Sequence, residues 1–459
     1  MHADWGCITK ADPNARYCCR PPVILKESFD CAEAKCQKGE VQIDTHPSGS
    51  GKFQCGWGRF QVACCKTEAP PPPKKLTCPK DLCNISPSSC PDTDQTDDDS
   101  LARRDARLIN GSSDLRKLEE DDDDDALATL DERGRGVLSF DLGPKNNRRT
   151  RVRTMNWPSA GRLFASQYRR QRVRPFLFRM RGNNCPDTAV NADSINPNTA
   201  NPIPTTTRPN GGTRSVADTE HAIDRQVFQL IVEWMSIGEM VNPSTGARIP
   251  FAHGALDPST MDRTMFADTL PASVGGLGSS SRPIREPMTR MTHHLGTNTN
   301  PISLLATEVQ INQMKGIVMG FNHPIAERLF TPLMLNAATG LDIAAQERLM
   351  LLFRNVIGSF EYLRSPEVVA ARAEVRAGLE QEFNRVANLD PGMYNAPSYF
   401  RSALYRHNRW IEDFAQTWMT EHIEAFEDQI AISNPSNSAQ LLADLKEMKG
   451  KIKDMEIVD

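Results

Sequence analysis

Residues 349–364 read LMLLFRNVIGSFEYLR, and their spacing decides the class of fold. Leu349, Leu352, Phe353, Val356, Ile357, Phe360 and Leu363 recur at i, i+3, i+4, i+7, i+8, i+11 and i+14. That period puts all of them on one face of an α-helix, an apolar stripe that other elements must cover. Ser365-Pro366-Glu367 follows at once. Proline lacks the N–H that an inner helical position needs but suits a first turn, so the chain is expected to break there and start a second helix. Working outward, further helices fit 218–240, 302–321, 366–388, 398–430 and 437–455. Residues 243–300 are rich in Gly, Ser and Pro, and the expectation there is a long excursion over the surface. The expected fold is therefore mainly α, with a helical C-terminal domain preceded by a small disulfide-rich β/loop module and a disordered acidic linker. No internal repeat occurs, and no run of eighteen apolar residues could span a membrane.

Cysteine governs the front of the chain. Eight of the 12 cysteines crowd together as Cys7, Cys18, Cys19, Cys31, Cys36, Cys55, Cys64 and Cys65. Cys78, Cys83 and Cys90 follow a proline run, and Cys185 stands apart. So short a segment cannot build an adequate core by burial alone, so the eleven early cysteines are read as disulfide candidates in an oxidising, extracellular setting. The alternative is a zinc module: the four-residue gaps Cys31–Cys36 and Cys78–Cys83 are compatible with chelation. The adjacent pairs Cys18-Cys19 and Cys64-Cys65 suit it poorly, because neighbouring side chains diverge. Eight cysteines permit 105 pairings, and spacing does not select one. The opening Met1-His2-Ala3-Asp4-Trp5-Gly6-Cys7 has neither the basic start nor the apolar stretch of an export signal. A fragment of a longer secreted protein is the simplest expectation.

Composition divides the chain into four parts. Residues 1–68 form the cysteine-rich module, with strand-like stretches at 22–25, 40–43 and 59–62. Residues 69–135 are a Pro-rich and acidic linker holding three cysteines. Pro70 to Pro73 form a stiff spacer, and the runs around Asp97–Asp99 and Asp121–Asp125 are too poor in apolar residues to bury a core. Residues 136–216 are basic and irregular, strand-like at 137–142 and 175–178 and loop-like over 188–214. Residues 217–459 are the helical domain.

Candidate sites are few. Twelve basic residues between Lys145 and Arg181, interleaved with Trp157, Phe164, Tyr168, Phe176 and Phe178, have the composition of a nucleic-acid footprint. The adjacent acidic run can neutralise them in cis, the cysteines point outside the cell, and the pI is about 6.2. Nucleic acid is therefore not the expected partner. Trp57 and Phe60, beside Cys55, are candidate sugar-stacking rings, with core packing as the plainer role. Asn84 and Asn110 satisfy the glycosylation sequon, and Arg103-Arg104 and Arg148-Arg149 are candidate cleavage points. His293-His294, on a segment expected to be extended, is a weak metal hint; His221 and His422, on expected helices without a partner at i+4, are read as packing or surface residues. No hydrolase, zinc-protease or phosphate-loop motif occurs, and no cofactor or metal is expected.

Cys31-Ala-Glu-Ala-Lys-Cys36-Gln-Lys-Gly39-Glu40-Val41, then Cys55 and Cys64-Cys65, resembles the cysteine-rich stretch after the catalytic barrel of large fungal chitinases. These belong to glycoside hydrolase family 18, in the group similar to the killer-toxin alpha/beta subunit. Cys185-Pro-Asp-Thr-Ala-Val and Thr219-Glu220-His221, with Glu233-Trp234-Met235, resemble the start of that group's C-terminal region. The segments 308–315 and 357–362 continue the likeness. The family's catalysis needs Asp-x-x-Asp-x-Asp-x-Glu on a barrel strand, with the Glu as general acid. No Glu here has that set of Asp before it, and carboxylates in a polar acidic run lack the apolar surroundings that raise an acid's pKa. Eight βα units are absent as well. The resemblance thus implies a non-catalytic accessory region of a secreted chitinase-like protein. Its implied partners are a catalytic barrel encoded upstream and chitin or another cell-wall polysaccharide. The alternative is a stand-alone secreted cysteine-rich protein that binds carbohydrate or protein.

Overall fold

The computed structural model describes residues 40–46, 61–66, 76–78, 137–142, 149–153, 157–158, 160–164, 173–196, 203–207, 213–274, 277–279 and 282–458. Two antiparallel hairpins come first: β1 (Glu40–His46) with β2 (Gln61–Lys66), and β3 (Val137–Asp141) with β4 (Arg149–Arg153). A short helix α1 (Ala160–Leu163) precedes β5 (Phe176–Met180) and β6 (Val190–Ser194). β7 (Thr205–Thr207), β8 (Thr213–Ser215) and β9 (Ala217–His221) lead into helix α2 (Arg225–Ile237). Then come β10 (Glu239–Val241), β11 (Arg248–Pro250), α3 (Pro258–Met261), β12 (Leu277–Ser279), β13 (Arg282–Ile284) and α4 (Pro287–Leu295). Strand β14 (Leu304–Glu308) closes the strand set, and the rest is helix. The helices are α5 (Val309–Met319), α6 (Glu327–Ala338), α7 (Ile343–Arg364), α8 (Pro366–Leu389), α9 (Ala396–Ser433) and α10 (Ser438–Ile452). The described body is mainly α.

The stripe of residues 349–363 works as its period requires. Leu349, Phe353, Val356, Ile357, Phe360 and Leu363 of α7 are at most 1% exposed, so this helix is the axis of the core. Asp342 caps its start by accepting from Ala345 N–H at 2.9 Å, and Pro366 opens α8 directly after Ser365. α2 begins on Asp224, which accepts from Gln226 N–H, and ends on Gly238 at φ 83°. There a Cβ would stand 2.5 Å from Ala255 N, so the close approach and the left-handed backbone both call for glycine.

A four-stranded sheet in the order β6-β5-β14-β9 lies beside the helices. β14 runs parallel to β5, through Ala306↔Leu177 and Thr307↔Phe178, and antiparallel to β9. Alternation sorts the two faces. Phe178, Met180 and Leu305 join the large helical core, whereas Leu177, Leu304 and Ala306 join a small cluster with Ala160, Leu163, Phe164, Ile195, Ile203 and Ala217.

Several local expectations differ. Residues 217–221 and 304–308 are strands, not the first turns of helices; a short apolar run such as Leu304-Leu305-Ala306, buried on both sides, has no period to tell strand from helix. The stretch expected as a surface excursion contains α4, with Met288, Met291 and Leu295 buried at i, i+3 and i+7. It was hidden because Arg290 and His293, equally buried, look like surface residues in a composition count. Residues 188–214, expected as loop, contain the short strands β6 and β7 and the start of β8.

Candidate functional site

The best-defined junction is where residues 76–78 meet the helical body. Leu76 is 2% and Cys78 0% exposed. Cys78 is bonded to Cys185, 107 residues away in sequence and also 0% exposed. Thr77 pairs with Asn184 across an isolated bridge, and Cys78 N–H donates to Asn183 O at 2.9 Å. Thr77 N–H and Oγ1 both donate to Glu347 of α7, at 3.2 and 3.0 Å. Beneath them Arg354, 1% exposed, fans out to backbone carbonyls: Asp187 O and Arg181 O at 2.8 Å, Gly182 O at 2.9 Å and Cys78 O at 3.5 Å. One guanidinium thus satisfies the turn that carries the disulfide. Burial pushes the Asp187 carboxyl up, but the hydrogen bonds from Arg181 and Ala189 N–H outweigh it and hold it below the usual range.

Two clusters of buried charge lie deeper. Lys315 of α5, 1% exposed, donates to Glu220 and, at 3.1 Å, to His221 O, with Asp224 3.9 Å away. Desolvation draws its ammonium down to about 7. Beside it Trp157 meets the His221 ring edge-on, centroids 5.0 Å apart, and Arg225 stacks over the same indole at 4.5 Å. Burial, then the nearby Arg225 charge, lowers His221 to about 3, so the imidazole is neutral.

The second cluster joins α4 to α8. Arg290 forks onto Glu382, Nε to Oε2 at 2.8 Å and Nη2 to Oε1 at 3.1 Å, and its Nη1 donates to Ile284 O at 3.0 Å. His294 Nε2 lies 3.2 Å from Glu382 Oε1, and Arg385 contacts the same oxygen. Burial alone would raise Glu382; bonds from His294 and Arg290 overcome it and bring it to about 2. Burial, reinforced by the His294 and Arg290 charges, lowers His293 to about 4. The two helices approach this closely because position 378 is glycine: a Cβ there would stand 2.3 Å from the His294 ring.

Chemically, both clusters are opposed charges paired inside a packed interior. A general acid or nucleophile needs a position from which a reacting atom is reachable, and Glu382, Arg290 and Lys315 are at most 2% exposed. Among the described residues no group of three His, Cys, Asp or Glu is arranged to hold a metal ion. Among the described residues Arg263, Thr264, Asp268, Thr269, Leu389 and Asp390 line a surface depression, and Arg263 and Asp390 neutralise each other across it.

Of the residues singled out from sequence, Cys78 is described, and its partner is Cys185 rather than another early cysteine. The backbone of Cys64 and Cys65 lies in β2. Cys7, Cys18, Cys19, Cys31, Cys36, Cys55, Cys83, Cys90, Trp57, Phe60, Asn84, Asn110 and Arg103-Arg104 lie outside the described residues. His293-His294 sits in a helix, not on an extended segment, and His422 packs on Trp418 with centroids 4.2 Å apart. Described members of the arginine block pair within the body: Arg174 with Glu374 at 2.8 Å, Arg179 with Asp193, and Arg181 with Asp187. Neutralisation by the acidic run was the expectation; that run lies outside the described residues, and for these three arginines acids of the body supply the countercharge. The buried charges Arg290, Glu382, Lys315 and Arg354 were missed, since a charge in a periodic pattern is read as surface. Arg354, alone in an apolar run, carried the one usable signal.

Comparison with protein-family models, with curated proteins and with solved structures finds no match to this chain.

Proposed function

We propose that this chain is a non-catalytic accessory region of a secreted chitinase-like protein, concerned with chitin or a related cell-wall polysaccharide. The observation that carries it is the Cys78–Cys185 bond, both sulfurs fully buried and backed by Arg354. A covalent clamp of this kind persists where thiols stay oxidised, which favours an exported protein. Two further observations support it. The charged clusters of the body are sealed and mutually paired, so they serve the fold rather than turnover. The resemblance in the cysteine-rich stretch and at the start of the helical region points to the tail of a chitinase rather than its barrel. On this reading the front module contacts the polysaccharide, with Trp57 and Phe60 as candidate rings, and the helical body is its anchor.

The test is retention on insoluble chitin. The chain, produced through an oxidising secretory route, is expected to be retained, and Trp57→Ala is expected to release it with the thermal midpoint unchanged. A wild-type chain that stays in the supernatant, with its thiols shown to be oxidised, removes the polysaccharide-binding part of the proposal. Chitin hydrolysis by the isolated chain would overturn its non-catalytic part.

A further inference from the structure

Cys185 is the last of the chain's 12 cysteines, and Cys90 is the one before it. From residue 91 onward the chain therefore has one thiol sulfur to offer, and that sulfur is bonded to Cys78. Taking this pair from the 12 leaves ten, all between Cys7 and Cys90. Ten is an even number, so these cysteines can pair among themselves and need no bond to the helical body. On that count the crosslinked front of the chain extends to Cys90, and the bridge at Cys78 is its covalent tie to the body.

Two connections lead from the front to the body. One is the peptide chain onward from Cys90 to β3, which carries the acidic residues of 92–125. The other is the bridge, which sets residue 78 directly against the body. There Cys78 N–H donates to Asn183 O at 2.9 Å, and Arg354 reaches Cys78 O at 3.5 Å. Thr77 donates twice to Glu347, at 3.2 and 3.0 Å, and Leu76 is 2% exposed. These contacts fix where the front meets the body. One buried leucine and a few hydrogen bonds nonetheless fall short of what a complex stable at micromolar concentration requires, once the cost of joining two molecules is counted. A covalent bond removes that cost, because the two sides can no longer part.

We infer that the Cys78–Cys185 bond, and not the polypeptide from residue 91 to 136, holds the front of the chain on the helical body. A break in that interval adds one water across a peptide bond and leaves both sulfurs joined, so its product is one assembled two-chain molecule. Whatever the front binds, the body is carried with it, and the inference does not depend on the ligand proposed above.

The test inserts the recognition sequence of a site-specific protease between Gly111 and Ser112 of the full chain, made through an oxidising secretory route. After complete digestion, the mass in denaturant without reductant is expected to be that of the uncut chain plus one water. With reductant, two chains are expected. Under native conditions both halves should elute together at the volume of the uncut protein. The same insertion in a Cys78→Ser chain is expected to release the front on digestion at low micromolar concentration. Two masses without reductant overturn the inference, and this arm needs no substitution. A Cys78→Ser front that stays on the body after the cut overturns it too, since the contacts alone would then suffice. So does a Cys78→Ser chain that loses its helical spectrum before the cut, because the bond would then be needed for the body to fold.

Discussion

At the scale of the residue, a few polar side chains set conformations that the apolar ones merely fill. Arg354 holds carbonyls of residues 78, 181, 182 and 187 from inside the core. Replacing it by methionine keeps the bulk but strands those acceptors, so Arg354→Met should lower stability by about 3 kcal/mol in urea unfolding. Glycine acts through the space it leaves. At Gly378 a Cβ would meet the His294 ring at 2.3 Å, and at Gly358 the Met180 sulfur at 2.5 Å. His294 can yield only by leaving Glu382, whereas a thioether repacks easily. Gly378→Ala should therefore cost about 1–3 kcal/mol, and Gly358→Ala visibly less, in parallel thermal melts.

Elements are joined by the pairings those residues make. The α4–α8 contact turns on Arg290 and Glu382, both at most 2% exposed. Glu382→Gln leaves the guanidinium buried without its countercharge, and a loss of about 3–5 kcal/mol is expected from guanidinium titration. An apolar pair of equal volume at both positions should recover most of that loss, which separates the cost of a broken pair from the worth of an intact one. The Cys78–Cys185 bond ties residues 76–78 to the turn between β5 and β6, which Arg354 of α7 holds from beneath, by closing a loop with a sequence separation of 107. Cys185→Ser should lower stability by about 2–5 kcal/mol, while the native bond, with both sulfurs at 0% exposure, should resist mild reductant until the protein unfolds. Reduction under native conditions, followed by thiol counting, checks the second part.

For the whole molecule, the buried ionisable groups act together on pH dependence. Burial lowers His221 to about 3 and His293 to about 4, against 6.5 when exposed. Both are depressed, so the unfolded chain binds these protons first. Their destabilising effect is absent above about pH 6.5 and grows as pH falls toward 4 and then 3. Glu382, at about 2 against 4.5, adds a loss in the same direction between those two values. Unfolding midpoints measured from pH 7 to pH 3 should therefore fall steadily. His293→Asn should flatten the upper part of the curve, and an unchanged slope in that variant would assign the effect elsewhere.

Local sequence pattern alone was enough to specify the helical class, the axis helix α7, the Ser365-Pro366 break and the strand-like stretches that became β3 and β5. Each of these follows from neighbours along the chain: a 3.6-residue period, a missing N–H, an alternation. Cys78 was legible as a half-cystine for a similar reason, because crowded cysteines imply crosslinks. Its partner Cys185 was not, since pairing depends on which segments the fold brings together. The buried charges and α4 escaped for the same cause. Arg290 and Glu382 are 92 residues apart and Lys315 and Glu220 are 95 apart, so neither pair leaves a local trace. Only the folded arrangement supplies the countercharge that makes burying them affordable, and only there does a helix rich in polar residues become part of the core.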